Sequence, residues 1–269
     1  MIELAPFHKI GLPVANPILI ATGCVGYGAT TRHLLDLSLF GAWVTNPITL
    51  RPQRGAPQPR LLETDTGFIL HTGGQNPGVK KVIRDYSKLW RSFSRPIIAH
   101  LPAEDPADLK RTARALAGTD TIDGLELGLP RDVRSNELSQ WVAAIRAGCL
   151  LPLLLKLPLA PGPELVEAAR AAQVDALVVG SPPGGAAVLA GEVIRGEAYG
   201  PWLFQLVLYQ VEEIARMSDI PVIAAGGVHS LAEAQALLAA GATAVQLDTL
   251  VWRDPAQAET IAREINGPP

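Results

Sequence analysis

Short apolar runs recur along the chain, each ended by glycine or a polar residue and followed by a longer amphipathic stretch. The runs are Pro17 to Thr22, Gly41 to Thr45, Pro96 to His100, Ile122 to Leu127, Leu151 to Leu157, Ala176 to Gly180, Pro221 to Ala225 and Ala244 to Leu247. Runs of this kind are expected of parallel strands buried on both faces. Between them the spacing predicts helices. One runs from a cap at Thr30 or Thr31 to about Leu37, and another reaches Phe93. Others run from Asp105 to Ala117, from Ser135 or Asn136 to Arg146, from Glu164 to Ala172 and from Trp202 to Met217. Ser230 with Glu233 three residues on has capping-box spacing, so a helix is expected over Leu231 to Ala240, stopped by Gly241. Asp254-Pro255 opens the last helix. Eight alternations without a break in composition predict an α/β protein, a single (β/α)8 TIM barrel over residues 1–269.

Three segments interrupt the rhythm. Lys9 to Ala15, with Gly11 and Pro13, is expected to form a small hairpin plugging the bottom of the barrel. Asn46 to Gly78 is too long for a simple strand–helix connection, and such insertions usually carry function. Within it Arg60 to Glu63 and Phe68 to Leu70, joined by Asp65-Thr66-Gly67, read as a hairpin. Pro182 to Pro201 reads as a Gly-rich loop.

The net charge is −3, from 23 basic and 26 acidic residues, which argues against a nucleic-acid surface or a polybasic membrane patch. No apolar run reaches membrane-spanning length and the first residues lack an apolar signal core, so a cytoplasmic setting is expected. Cys24 and Cys149 have no metal-ligand spacing, and no metal is expected.

In a TIM barrel the chemistry sits at the C-terminal ends of the strands. Lys156 lies within LLLKL, where a buried amine needs a partner or a cleft, and it is suited to an anion or an electron-rich ring. Glu126 in GLELG is its acidic counterpart, paired with Lys156 or with neighbouring backbone. His100 ends the third strand as a candidate acid, base or hydrogen bonder; the competing reading is a satisfied structural histidine. His71 precedes a glycine turn on a possible lid, and Cys24 reads as a small packing residue. Gly226-Gly227 follows the seventh strand and is either a phosphate cradle or a turn required by packing.

NPILIATGCVGYG (Asn16 to Gly28) resembles the opening strand and loop of the class 1 dihydroorotate dehydrogenases. So do Val44 to Thr64, GGQNPG (Gly73 to Gly78), IPVIAAGGV and AVQLDT, in order along nearly the whole chain. The resemblance implies an FMN-binding barrel, often a homodimer, that oxidises dihydroorotate with a base and a flavin. It implies flavin contacts at Ala21, Thr22, Gly23, Lys156, Gly200, Gly226, Gly227 and Thr249, with Asp248 where the family has glycine. The substrate side departs from the pattern. Asn46 stands for the family's lysine, Leu70 and Ser181 for asparagines, and Gly128 to Val133 for the motif of asparagines and a catalytic Cys or Ser. An FMN-dependent oxidoreductase acting on CH–CH groups with another small-molecule substrate is therefore expected, with His100, Arg131 and His71 as candidate substrate contacts. The alternatives are a barrel that has lost catalysis and serves as a partner subunit, and an atypical dihydroorotate dehydrogenase.

Overall fold

The structure is a computed structural model that describes residues 1–29 and 34–267. It opens with β1 (Ile2–Glu3), paired antiparallel with β2 (Pro13–Val14). Then come β3 (Ile18–Ile20), β4 (Trp43–Val44), an excursion of β5 (Leu61–Thr64) and β6 (Gly67–Leu70), and α1 (Val79–Trp90). The alternation continues with β7 (Ile97–Pro102), α2 (Pro106–Ala117), β8 (Gly124–Gly128), α3 (Ser135–Arg146), β9 (Leu153–Lys156), α4 (Pro163–Ala171) and β10 (Ala176–Val179). A second excursion, β11 (Gly184–Leu189) and β12 (Glu192–Tyr199), precedes α5 (Leu203–Met217). The chain then runs through β13 (Val222–Ala225), α6 (Leu231–Ala239), β14 (Ala244–Leu247), α7 (Thr249–Arg253) and α8 (Pro255–Glu264).

Strands β3, β4, β7, β8, β9, β10, β13 and β14 close into a parallel barrel in that order, so the expected fold is the observed one. Strands β8 and β14 stand opposite each other, separated by β3, β4 and β7 on one side and by β9, β10 and β13 on the other. Alternate residues of each strand divide the core in two. Leu125, Leu127, Leu153, Leu155, Val245 and Leu247 face outward and pack under the helices. Leu19, Val44, Ile98, Leu154, Val178 and Ile223 fill the interior together with Leu4, Leu12 and Val14 of the opening hairpin. Burying each such side chain contributes ~1.5–3 kcal/mol. The plug is thus real but wider than expected: the hairpin begins at Ile2 and not Lys9, and Leu4 and Ala5 join Leu12 and Val14 in the core.

Helix ends follow the caps read from sequence. Asp105 accepts from the Ala107 and Asp108 amides, Asp254 from Gln257, and Ser230 Oγ from Glu233. Glu233 closes its side of the motif on the His229 amide at 2.7 Å instead of on Ser230. The expected cap at Thr30 or Thr31 lies outside the described residues, and Leu37–Leu39 is a 3-10 turn capped by Asp36. The largest correction concerns Pro182 to Pro201. It is a long antiparallel hairpin, not a loop, and it joins the first excursion in one sheet ordered β11-β12-β6-β5. Its strands are exposed on both faces for much of their length, so no apolar alternation marks them. This sheet roofs the C-terminal mouth of the barrel.

Candidate active site

The strand pleat sets the floor of the site. In β7, β8, β9 and β14 the outward positions are apolar, and one inward position per strand is polar: His100, Glu126, Lys156 and Gln246. All four are buried, Glu126 and Gln246 completely. His100 Nδ1 lies 2.8 Å from Glu126 Oε1, its register neighbour across the β7–β8 pair. From the far side of the barrel Gln246 Nε2 donates to Glu126 Oε2 at 2.7 Å. Lys156 Nζ donates in turn to Gln246 Oε1 at 3.5 Å. Burial alone would raise the pKa of Glu126, but the Lys156 charge and the hydrogen bonds from His100 and Gln246 outweigh it and hold it down at about 2. The floor is therefore a charge-balanced chain, with one amide between the ammonium and the carboxylate and an imidazole at the other end. A buried carboxylate needs such partners.

Above this floor lies a cleft of about 1740 Å³ between the barrel mouth and the roof sheet. His100 reaches its wall beside Gly128, where an added Cβ would stand 2.9 Å from His100 Nε2. Glycine at 128 is what leaves room for the imidazole ring. Ala21, Thr22 and Gly23, after β3, also line the cleft, and Thr22 Oγ1 donates to the Thr45 carbonyl at 2.7 Å. Asn46 also lines the cleft, and its side-chain oxygen is buried without a hydrogen-bond partner among the described residues. Cys24 donates to the Asp248 carbonyl at 3.3 Å, and burial followed by the Asp248 charge raises its thiol pKa well above normal. That makes it a packing residue and not a nucleophile. His71 and Arg131 line the cleft at its exposed rim, Arg131 over Gly184 at the start of β11. The roof is held partly by aromatic packing. Phe68 of β6 stacks on Tyr199 of β12 at 5.2 Å between ring centres, and Trp252 lies 6.3 Å from Phe68.

The loops after the seventh and eighth barrel strands bring the remaining candidates together. Gly226 and Gly227 both have left-handed φ, +103° and +74°. A Cβ at Gly227 would stand 2.3 Å from the Phe204 amide nitrogen at the start of α5, so packing alone demands glycine there. Gly200 is likewise pressed against the Thr66 carbonyl and the Trp202 indole at the foot of the roof. Asp248 lines the cleft, and its Oδ1 accepts from the Thr249 amide and from Thr249 Oγ1. Burial pushes the Asp248 carboxyl pKa up. His229 Nε2 lies 3.5 Å from Thr249 Oγ1, and burial lowers its pKa.

Lys156, His100, Ala21, Thr22, Gly23 and Asp248 thus share one cleft, with His71 and Arg131 at its rim. Gly200, Gly226 and Gly227 stand behind the wall. Sequence reasoning missed Gln246, the link between Lys156 and Glu126, and it missed His100 as the direct partner of Glu126. A signal was present: each of these residues is the lone polar side chain on the inward parity of its strand. Among the described residues no helix is long and apolar enough to cross a membrane.

A family model described as dihydroorotate dehydrogenase matches residues 7–130 and 191–267. The unmatched stretch begins at Arg131, directly after the end of β8. The chain is 31% identical to the dihydroorotate dehydrogenase B (NAD(+)) catalytic subunit of Geotalea uraniireducens, over 94% of this chain and 88% of that protein. It is 32% identical to the protein of that description from Trichlorobacter lovleyi, over 93% of this chain and 88% of the relative. Among solved structures it resembles DHODH from Eimeria tenella in complex with ferulenol, with a TM-score of 0.77 at 17% identity over 93% of this chain and 80% of that one. At that identity the last likeness concerns the fold alone. The family match over most of the length and the identities of 31% and 32% to the two catalytic subunits mean that this chain belongs to the dihydroorotate dehydrogenase family.

Proposed function

We propose that this chain is a flavin-dependent oxidoreductase in which His100 carries the acid–base chemistry, acting on a substrate other than dihydroorotate. The observation that carries the reading is the His100–Glu126 pair, 2.8 Å apart on the buried floor, with the imidazole reaching the cleft. With Glu126 ionised, the proton on the ring sits at Nδ1 and Nε2 is left as an acceptor. When Nε2 takes a proton from a bound substrate, the new imidazolium faces the Glu126 carboxylate and is stabilised there. Glu126 is a positioning residue in this scheme, and Gln246 positions Glu126.

Taken half by half, the cleft suits a flavin ring better than it suits the phosphate of FMN. Lys156 is buried beside the cleft, its bond to Gln246 is long, and it has donors to spare for the electron-rich edge of a ring. Ala21, Thr22 and Gly23 form a narrow wall of small side chains. The phosphate end is less suited, because Asp248 already occupies the Thr249 amide. Bound flavin would supply a two-electron acceptor. By the resemblance, Asn46, Leu70, Gly128 to Val133 and Ser181 stand where the family carries polar substrate contacts. Each lost contact to a charged group is worth ~1.5–3 kcal/mol, which argues against dihydroorotate. The alternative of a barrel kept for binding draws its support from Asp248, and a protein that takes up no flavin would favour it.

The test is a spectrum. Purified protein mixed with flavin and desalted is expected to stay yellow between ~350 and 500 nm, the flavin absorption range. Addition of dihydroorotate is expected to leave the colour unchanged over seconds; rapid bleaching would refute the altered-substrate reading. On a substrate that does bleach it, His100→Gln is expected to slow the reaction ~10²–10⁴-fold.

A further inference from the structure

In TIM barrels the loops after the seventh and eighth strands are the frequent seat of a phosphate. In this chain those loops are Gly226-Gly227 and Asp248-Thr249. The first has the form such a seat requires: Gly226 bears no side chain, and a Cβ there would meet nothing nearer than the Gly180 carbonyl at 3.1 Å. The second does not. Asp248 Oδ1 consumes the Thr249 amide and accepts from Thr249 Oγ1 as well. Asp248 Oδ2 projects over the first loop, 3.8 Å from the Cβ position of Gly226. A carboxylate therefore stands between the two loops and takes the donors of the second.

A second carboxylate stands at the same end of the cleft. Glu197 lines it and accepts from Tyr199 Oη at 3.1 Å. Asp248 in turn contributes to the raised pKa of Tyr199, after burial and Glu197, so Tyr199 lies in the field of both carboxylates. The nearby basic groups are Lys156, tied to Gln246, Arg253, whose charge acts on His229, and His229 itself, 3.5 Å from Thr249 Oγ1 and disfavoured as a cation by burial. A phosphate monoester carries about −1.5 to −2 charges at neutral pH, so two carboxylates oppose it. A hydroxyl meets the same groups as a donor to Asp248 or Glu197, at no cost in charge.

Building on the flavin reading above, we propose that this cleft selects a flavin whose side chain ends in a hydroxyl over one that ends in a phosphate, with Asp248 as the selecting residue. The probes are riboflavin and FMN, titrated against the full-length protein with flavin fluorescence as the readout. The wild type is expected to bind riboflavin at least as tightly as FMN. Asp248→Asn removes the charge and keeps an oxygen to cap Thr249, so the fold is retained. It is expected to tighten FMN by at least ~tenfold while riboflavin moves by less than ~threefold. Glu197→Gln is expected to act in the same direction, more weakly. The proposal is overturned if the wild type binds FMN more tightly than riboflavin, or if Asp248→Asn leaves the ratio of the two Kd values unchanged. Absence of binding for both flavins in all three proteins would overturn the flavin reading itself, and this proposal with it.

Discussion

Glu126 is a carboxylate buried beneath the cleft and Asp248 one that lines it, and their surroundings push them in opposite directions. The folded pKa of Glu126 is depressed, so its contribution to stability is present above the unfolded value of ~4.3 and is lost as the pH falls towards about 2. Glu126→Gln is therefore expected to lower the stability at pH 7 by the ~1.5–3 kcal/mol of a charged hydrogen bond, and the Tm with it, the gap to wild type closing on acidification. Burial raises the folded pKa of Asp248, which reverses the sign. Its ionisation costs stability above the unfolded value of ~3.9, and below it the cost vanishes. Asp248→Asn is expected to raise the Tm at pH 7 and to match wild type at pH 3; thermal melts at several pH values test both variants. The two residues differ in how far sequence reveals them. Glu126 sits on the inward parity of GLELG, so burial with a polar partner follows from the pleat alone. The role of Asp248 depends on a side-chain torsion that folds it back onto Thr249, and no spacing encodes that.

At the level of elements, the barrel strands and most helices follow from short apolar runs, caps and glycine stops, because packing on both faces leaves those signals clean. Half of the roof was legible and half was not. The hairpin β5–β6 announces itself through Asp65-Thr66-Gly67 between apolar ends, whereas β11 is mostly glycine and alanine and β12 mixes charged, small and apolar residues, so the pair reads as loop. The two strands pair with each other as a local hairpin, and only the end of β12 is joined to β6, a contact distant in sequence. The plug was legible in kind but not in extent, since Leu4 and Ala5 give no local turn signal. Leu12 is almost fully buried in the barrel interior and packs against β8 at Gly124. Leu12→Ala is expected to cost ~2–5 kcal/mol in urea unfolding and to leave ligand binding at the far mouth unchanged. A loss of affinity in proportion to stability would show that the two ends are not independent.

For the molecule as a whole, the interior and outer cores are continuous around the ring, and no linker or change of composition divides the chain. Unfolding is expected to be a single event, with the circular dichroism and tryptophan signals coinciding in urea; separate midpoints would mean that the roof or the plug melts on its own. Membership of the family was legible because its motifs are carried by glycines, prolines and strand ends that the barrel itself needs. The chemistry was less legible because the mouth is assembled from side chains on different strands. One consequence of the Gln246–Glu126 bond is mechanical. It joins β14 to β8, which face each other across the bore, and so acts as a tie-rod that keeps the cylinder from flattening into an oval. A ligand bearing on Lys156 or His100 pulls at one end or the other of that tie, so grip at the mouth and roundness of the shaft are adjusted together.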